Sequence, residues 1–257
     1  MTISKWLVAA GCALAMTGAA VAQDWYVGGS AGVNFQTDSD NEGETGAFTT
    51  GNLGDGSTLA VAAGTDYGWT TEFDPGFVVS GEVGIRFSNG LRAGVEVSYT
   101  DSNVETHTDV TLGGDPIGAL DAATLAGSPD PLGVSIADLV ADGQGDISSI
   151  GVFANAYYDF NSGGRLQPYI GGGIGFADVD VEYAPSGVGI IDDGETKFAY
   201  QIKAGATVKV TEQVDAYTEY AFRATDDIET DNVLFPGTLD IENRQNLLMF
   251  GLRYTFR

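Results

Sequence analysis

The final stretch of the sequence, "NLLMFGLRYTFR" (residues 246–257), carries an apolar or aromatic side chain at every second position from Leu248 to Phe256. Strict alternation of this kind predicts a β-strand with one apolar face. The ends of most domains are loosely held unless they are paired. The sequence therefore predicts that this last strand closes a sheet.

The same two-residue period recurs in earlier segments, so the chain has eight candidate strands. They lie near residues 24–35, 76–87, 91–100, 147–160, 166–177, 196–210, 214–224 and 245–256. One face of each strand holds no charged residue. The opposite faces carry the charges: Glu82, Arg86, Arg92, Glu96, Asp159, Lys197, Lys203, Lys209, Asp215, Glu219, Arg223 and Arg253.

This sorting of charges is typical of strands that cross a membrane, because a Lys or Arg facing lipid at mid-bilayer costs about 2–4 kcal/mol. The strands are about 10–15 residues long, as a tilted crossing requires. Aromatic residues cluster at both ends of the apolar band, as in the interfacial belts of a membrane barrel. One belt would hold Trp25, Phe87, Tyr158, Phe160, Tyr254 and Phe256, and the other Phe35, Phe77, Tyr99, Phe176, Phe198 and Phe222. The alternative is a soluble eight-stranded barrel with a ligand cavity.

The connections between the strands alternate between short and long. Three are tight, "SNG", "NSGGR" and "TEQ", and such turns favour Asn, Gly and Ser because these residues tolerate positive φ. The others span approximately residues 36–75, 101–146, 178–195 and 225–244. We therefore predict an all-β fold: an eight-stranded antiparallel up-and-down transmembrane β-barrel with short periplasmic turns and long extracellular loops.

Two segments carry a resemblance to a known family. The segment "GLRYTF" resembles the C-terminal signal by which outer-membrane proteins are recognised for insertion, with Phe250, Leu252, Tyr254 and Phe256 as its alternating residues, although Arg257 follows the expected terminal aromatic residue. The segment "LQPYIGGGIGF" (166–176) is similar to a strand of small opacity-like surface antigens and OmpA-type eight-stranded barrels. The resemblance implies an integral outer-membrane location in a Gram-negative bacterium.

Composition and the N-terminal segment agree with an exported protein. Residues 1–22 combine Lys5, an apolar stretch and an Ala20-Val21-Ala22 cleavage pattern, which predicts a cleaved signal peptide before the barrel of residues 23–257. The sole cysteine, Cys12, falls in that segment, so we expect no disulfide. The formal net charge of −25 excludes a nucleic-acid partner on electrostatic grounds.

An eight-stranded barrel is just wide enough for its own side chains to fill it. The twelve charged residues above would face this lumen, and buried charges must be paired. We expect an ion-pair network that plugs the barrel. A narrow ion-conducting pore, opened when the pairs exchange, is the alternative, and the sequence does not choose between them.

The four long connections hold most of the 36 acidic residues. The first is polar and rich in Gly and Thr, which favours disorder. The second predicts two short helices, near 116–126 with an Asp115-Pro116 N-terminus and near 135–141 with Ser135 as N-cap. Their apolar stripe is expected to pack on the loop itself, and it comprises Ile117, Leu120, Ile136, Leu139 and Val140.

Few residues suggest catalysis or metal binding. "DSDNEGETGAFT" begins like a calcium loop, but Thr49 replaces the bidentate Glu at its last position, so Asp38, Asp40 and Glu42 are expected to bind divalent cations weakly at most. His107, the single histidine, has Asp109 nearby but no nominated nucleophile. We expect neither enzymatic activity nor a cofactor, and a lipid-modifying enzyme is the least favoured alternative.

The function follows from the resemblance. It implies a surface antigen or adhesin-like protein, or an envelope-structural role, with acidic loops that meet a host or environmental surface. The implied partners are outer-membrane lipid, lipopolysaccharide and the barrel-assembly machinery.

Overall fold

The computed structural model describes residues 23–187, 189–232 and 234–256, so the predicted signal peptide lies outside the described residues. In chain order the strands are β1 (Gln23–Gln36), β2 (Ser39–Thr45), β3 (Phe48–Thr49), β4 (Ala60–Val61), β5 (Asp66–Phe73), β6 (Gly76–Phe87), β7 (Leu91–Leu112), β8 (Asp115–Pro116), β9 (Gly145–Asp159), β10 (Leu166–Tyr183), β11 (Ile191–Lys209), β12 (Val214–Thr225), β13 (Ile228–Asp231), β14 (Gly237–Ile241) and β15 (Arg244–Thr255). The helices are α1 (Ala123–Ala126), α2 (Ile136–Val140) and a 3₁₀ turn at Pro185–Gly187. None of the described helices is long and apolar enough to cross a membrane.

Eight antiparallel strands form a closed ring in the order β1, β6, β7, β9, β10, β11, β12, β15 and back to β1. At the seam, Val27 of β1 lies opposite Val83 of β6 on one side and Tyr254 of β15 on the other. The prediction of eight up-and-down strands is confirmed, and so is the role of the C-terminal strand. Its pairing with β1 leaves the barrel without a free edge.

The side chains of the ring alternate between an exposed outer face and a buried inner face. On β11, for example, Ile202 is 62% exposed whereas its neighbours Gln201 and Lys203 are 1% exposed. The outward residues are those of the uncharged faces, and ring contacts such as Phe77–Tyr99 and Tyr254–Phe256 lie within the two aromatic belts. The lumen is therefore the polar side of every strand.

The ring continues beyond the predicted strands at the end with the long connections. β7 runs on to Leu112 and β10 to Tyr183, whereas the apolar pattern had ended them near residues 100 and 177. Beyond this point the sides exchange character, because Asp178, Asp180 and Glu182 face outward while the alternate residues of β10 are apolar and buried. The apolar outer face ends at the aromatic belt, so a prediction based on that face ends each strand there.

The first, second and fourth long connections extend the sheet beyond the ring, in the order β13, β14, β2, β5 and the outer part of β7. The expected disorder of the first connection is wrong, since β2 and β5 pair along their length. The polar inner face of β2 is satisfied within the sheet, where Asn41 Nδ2 donates to Thr71 Oγ1 at 2.8 Å and Ser39 Oγ to Asn41 Oδ1 at 2.9 Å. Composition alone does not reveal such bonds.

The second connection contains one predicted helix nearly as expected. Ser135 caps α2, and its side chain accepts a hydrogen bond from the Asp138 N–H. The predicted helix start at Asp115-Pro116 is wrong, because these residues form β8 and pair with the end of β7. Gly113 and Gly114, both at positive φ, make the tight turn that reverses the chain there. α1 is confined to Ala123–Ala126.

The described residues of 36–75, 101–146, 178–195 and 225–244 make up a folded unit, here called the cap. An apolar cluster fills it and reaches Phe153, Ala177 and Ala199 in the barrel wall. The predicted stripe packs on this cluster, with Ile117, Ile136 and Val140 among its buried members and Leu120 and Leu139 at its edge. The cap is thus continuous with the barrel.

Candidate functional site

The lumen next to the short turns holds an ion-pair group of two arginines and two aspartates. Arg86 Nη2 lies 3.1 Å from Asp215 Oδ2, and its Nε lies 3.7 Å from Asp159 Oδ2. Arg92, whose side chain is 0% exposed, lies 3.3 Å from Asp159 Oδ1. Asp159 therefore joins β9 electrostatically to both β6 and β7.

The middle of the lumen is organised around Glu82. Its Oε1 accepts a hydrogen bond from Tyr26 at 2.6 Å, and its Oε2 accepts bonds from Asn155 at 3.0 Å and from Tyr157. Arg92 Nη1 lies 3.5 Å from Glu82, and the Arg92 guanidinium lies 3.9 Å from the centre of the Tyr157 ring. These contacts satisfy a carboxylate that is 8% exposed.

The lumen nearer the cap is organised around Lys203. Its ammonium group contacts Glu96 and lies 2.9 Å from Glu219 Oε1. Arg223 Nη2 lies 3.2 Å from Glu96 Oε1, so Glu96 bridges two cations. Tyr169 donates to Glu219 at 2.8 Å. The residues of this group come from four different strands.

Three of the twelve predicted lumenal residues lie outside these groups. Arg253 is buried, and no ion pair among the described residues includes it; its guanidinium lies 4.7 Å from the Tyr217 ring centre and 5.2 Å from that of Tyr26. Lys197 pairs with Glu195 at 2.8 Å, towards the cap. Lys209 reaches the carbonyl of Ser162 at the short-turn end.

The sequence reasoning missed the lumenal tyrosines, each of which lies directly opposite a glycine of the next strand. The four pairs are Tyr26–Gly84, Tyr157–Gly171, Tyr169–Gly205 and Tyr217–Gly251. A Cβ on Gly251 would lie 2.4 Å from Tyr217 Cζ, so glycine is needed for the ring to lie against the wall. The sequence could have revealed these pairs, because the tyrosines and the glycines both occupy the alternate positions that face the lumen.

The buried charges balance within the lumen. Its five acidic residues are Glu82, Glu96, Asp159, Asp215 and Glu219, and its five basic residues are Arg86, Arg92, Lys203, Arg223 and Arg253. Most of these side chains are less than 5% exposed. Buried charges are tolerated when they are paired, and each of these residues except Arg253 belongs to an ion pair.

The outer surface of the cap is acidic instead. Asp146, Asp180, Glu182, Asp192 and Asp193 line a cleft of about 270 Å³ formed by β9, β10 and β11. Partial burial raises the pKa of the Asp146 carboxyl, and the negative charge of nearby carboxylates raises it further; the pKa of Asp180 is raised for the same reasons. These strands thus carry unbalanced negative charge on their outer face.

The candidate cation ligands lie on another part of the same cap. Asp40 and Glu42 are exposed on the outer face of β2, and Asp40 accepts a hydrogen bond from Thr70. Asp38 precedes the strand. The described residues include no group of three or more His, Cys, Asp or Glu that could hold a metal ion, so weak cation binding stays a prediction.

His107 lies inside the cap and is 3% exposed. Its Nδ1 lies 2.9 Å from Thr71 Oγ1, and its ring packs edge-on against Tyr183. Burial lowers the pKa of His107 to about 4, so the imidazole is neutral at neutral pH. Asp109, with φ of 54°, is exposed on the same strand.

The family model of the outer-membrane protein β-barrel domain matches residues 6–256. The chain belongs to this family of outer-membrane β-barrel proteins. No curated protein sequence matches the chain. Among solved structures, OprG from Pseudomonas aeruginosa is 14% identical, with a TM-score of 0.52, and the match covers 92% of this chain and 97% of that one. Neisserial surface protein A is 16% identical, with a TM-score of 0.45, and the match covers 90% and 97% of the two chains.

Membership of the outer-membrane β-barrel family gives the fold its orientation. The exposed apolar face of the ring contacts lipid, the short turns lie in the periplasm, and the cap lies outside the cell. Phe250, Leu252 and Tyr254 of β15, and Phe256 after it, all face lipid. Their recognition by the assembly machinery stays a prediction.

Proposed function

We propose that this outer-membrane protein is a non-catalytic, adhesin-like surface protein, in which a closed barrel holds a folded acidic cap outside the cell. The observation that carries the proposal is that strands from the first, second and fourth long connections form a sheet, and that the apolar interior of the cap is continuous with the barrel wall. A cap fixed in this way presents its carboxylates at constant positions. Its unbalanced charge suits cationic surfaces, since charge complementarity directs association.

The packing of the lumen supports an anchoring role for the barrel. An open path for ions requires solvated groups along the lumen, whereas Arg92, Glu96 and Lys203 are each at most 2% exposed. We expect the refolded chain to give no discrete openings in a planar bilayer, with gel mobility as the check on folding. Reproducible openings that change with Arg86→Ala, but not with Lys197→Ala, would favour the pore instead.

The surface role is tested with purified protein in lipid nanodiscs and with beads that carry amine or carboxylate groups. We expect binding to amine beads that weakens with salt. A variant with Asp180→Asn, Glu182→Gln and Asp192→Asn removes charge from the cleft and should bind amine beads several-fold less. Equal binding of the unaltered chain to both kinds of bead would refute the proposal.

The matched control removes the same number of charges from a different face of the cap. Asp40→Asn, Glu42→Gln and Glu44→Gln lie on β2, away from the cleft. If the cleft is the contact surface, the control loses less binding than the cleft variant. Equal losses would mean that the charge of the whole cap, and no particular face, attracts the surface.

The environment of His107 supports the absence of catalysis. A neutral, buried imidazole bound to Thr71 has no exposed nucleophile beside it among the described residues. We expect His107→Ala to leave the lipid A of the producing cells unchanged by mass spectrometry. A change in lipid A mass that depends on His107 would establish the enzymatic alternative.

A further inference from the structure

The interior of the cap contains a cavity of about 40 Å³ between β5, β7, α2 and the segment before β14. Its walls are mainly apolar and aromatic, with Trp69, Leu112, Leu125 and Phe235 among them, and His107 also lines it. Among the described residues, no charged side chain belongs to the lining. The cavity has room for about three water molecules, which corresponds to an organic molecule of about four to six non-hydrogen atoms.

The hydrogen bonds around Thr71 determine which nitrogen of His107 carries the proton. Thr71 Oγ1 accepts from Asn41 Nδ2 at 2.8 Å and from the Trp69 indole N–H at 3.2 Å. A hydroxyl has two acceptor positions and one proton, so Thr71 donates that proton to His107 Nδ1, 2.9 Å away. The neutral ring therefore carries its own hydrogen on Nε2.

This Nε2–H group has no hydrogen-bond partner in the part of the chain that the structure describes, although the atom is fully buried. A buried donor without an acceptor is destabilising, and in most proteins such a group finds a partner. A water molecule needs two to four polar contacts to be held well in a cavity. The walls supply few, because nearly all of the cavity surface is apolar; the polar residues of the lining besides His107 are Asn232, whose oxygen accepts from the Leu234 N–H, Thr111, and Tyr67, whose buried hydroxyl also lacks a partner among the described residues.

We propose that this cavity binds a small neutral apolar molecule that has one acceptor oxygen, such as a ketone, an aldehyde or an ester, with the oxygen on His107 Nε2–H. The apolar body of the ligand fills the space between the aromatic and leucine side chains. An anionic ligand is disfavoured, because no cation lines the cavity and the cap around it is acidic. This site is separate from the outer acidic cleft, so it stands or falls independently of the surface role.

The single histidine of the chain makes the test direct, since ¹⁵N-histidine labelling of an untagged chain gives the signals of His107 alone. In lipid nanodiscs we expect Nδ1 to be unprotonated and Nε2 to carry the hydrogen. Titration with cyclopentanone should move the Nε2–H signal in a saturable way. Methylenecyclopentane, which has the same shape but no oxygen, should bind about 3- to 10-fold more weakly. Its binding should leave the Nε2–H signal at the chemical shift of a group without a hydrogen bond.

Two variants separate binding from simple partition into lipid. His107→Phe keeps an aromatic ring and removes the donor, so the preference for cyclopentanone over methylenecyclopentane should disappear. Leu125→Phe fills the cavity, so saturable binding of both probes should be lost while gel mobility shows a folded barrel. A proton on Nδ1, a linear response to both probes, or a response unchanged by Leu125→Phe would overturn the proposal and leave water as the occupant.

Discussion

Replacing Lys203 by Met tests whether the lumen is truly dry. The ammonium group is 1% exposed and pairs with Glu96 and Glu219. Glu96 keeps Arg223 as a partner, but Glu219 has no other ion pair among the described residues and retains the Tyr169 hydroxyl. Removing one partner of a buried ion pair costs about 3–5 kcal/mol, because the remaining charge stays buried. We expect Lys203→Met to lower the free energy of unfolding by that amount.

The assay is urea unfolding of the refolded chain in phospholipid vesicles, followed by tryptophan fluorescence and gel mobility. Lys197→Met is the matched control: its pair with Glu195 is partly exposed, so the change should cost less than about 1 kcal/mol. Adding Glu219→Gln to Lys203→Met removes the uncompensated carboxylate and should recover part of the loss.

The outcome that would refute this reasoning is a cost for Lys203→Met as small as that for Lys197→Met. Water would then reach Glu219 and solvate it, and the close packing of the lumen would not exclude ions. The proposal of a non-conducting lumen would have to be abandoned, and the pore would become the better explanation. A large cost that Glu219→Gln does not reduce would instead point to lost packing of the lysine stem.

Three further outcomes follow from the geometry. Gly251→Val should destabilise the barrel by about 1–3 kcal/mol, whereas Gly29→Ala, whose Cβ would meet no atom closer than 3.7 Å, should be nearly neutral; urea midpoints compare them. Because the pKa of His107 is lowered from 6.5 to about 4, the contribution of the neutral imidazole to the stability of the cap is fully present above pH 6.5 and is lost as the pH falls towards 4. Cap amides should therefore open more easily at pH 5 than at pH 7 by about 2 kcal/mol in hydrogen exchange, and less so in His107→Phe. Asp146→Asn with Asp180→Asn should stabilise the cap at pH 7 and have a smaller effect at pH 4, since both carboxyls have raised pKa values; the same exchange experiment measures it.

The barrel could be predicted from the sequence because lipid imposes a strong rule on each strand. Every residue that faces the bilayer must be uncharged, so the charged positions fall on one parity and that parity identifies the lumen. Arg92, Glu96 and Lys203 could be assigned to it in this way. Their ion-pair partners could not be predicted, because these depend on the register between neighbouring strands. The two-residue period does not determine that register.

Helix α2 and its apolar stripe could be predicted, but the strands of the cap could not, because the rule changes at the outer aromatic belt. On β10 the outward residue is Phe176 within the belt and Asp178 just after it. The alternation of buried and exposed residues continues without a break. Water replaces lipid around the outer face beyond the belt, so the outward residues there are polar and the inward residues are apolar. An alternation that inverts at the belt in this way predicts the longer β7, β10 and β11 that are observed.

The inversion also explains where the net charge of −25 lies and what restrains it. The central charges of the lumen balance, so the excess acid is concentrated in the cap, where carboxylates such as Glu182 and Asp192 lie opposite each other on paired strands. Their repulsion opposes folding, and the apolar cluster beneath them must overcome it. Added salt should therefore act in opposite directions, stabilising the cap by screening repulsion and weakening the attraction to a cationic surface that we propose. Because the apolar interior stabilises the cap, its outer face can keep like charges close to one another. The electrostatic contact that we propose outside the cell depends on this arrangement.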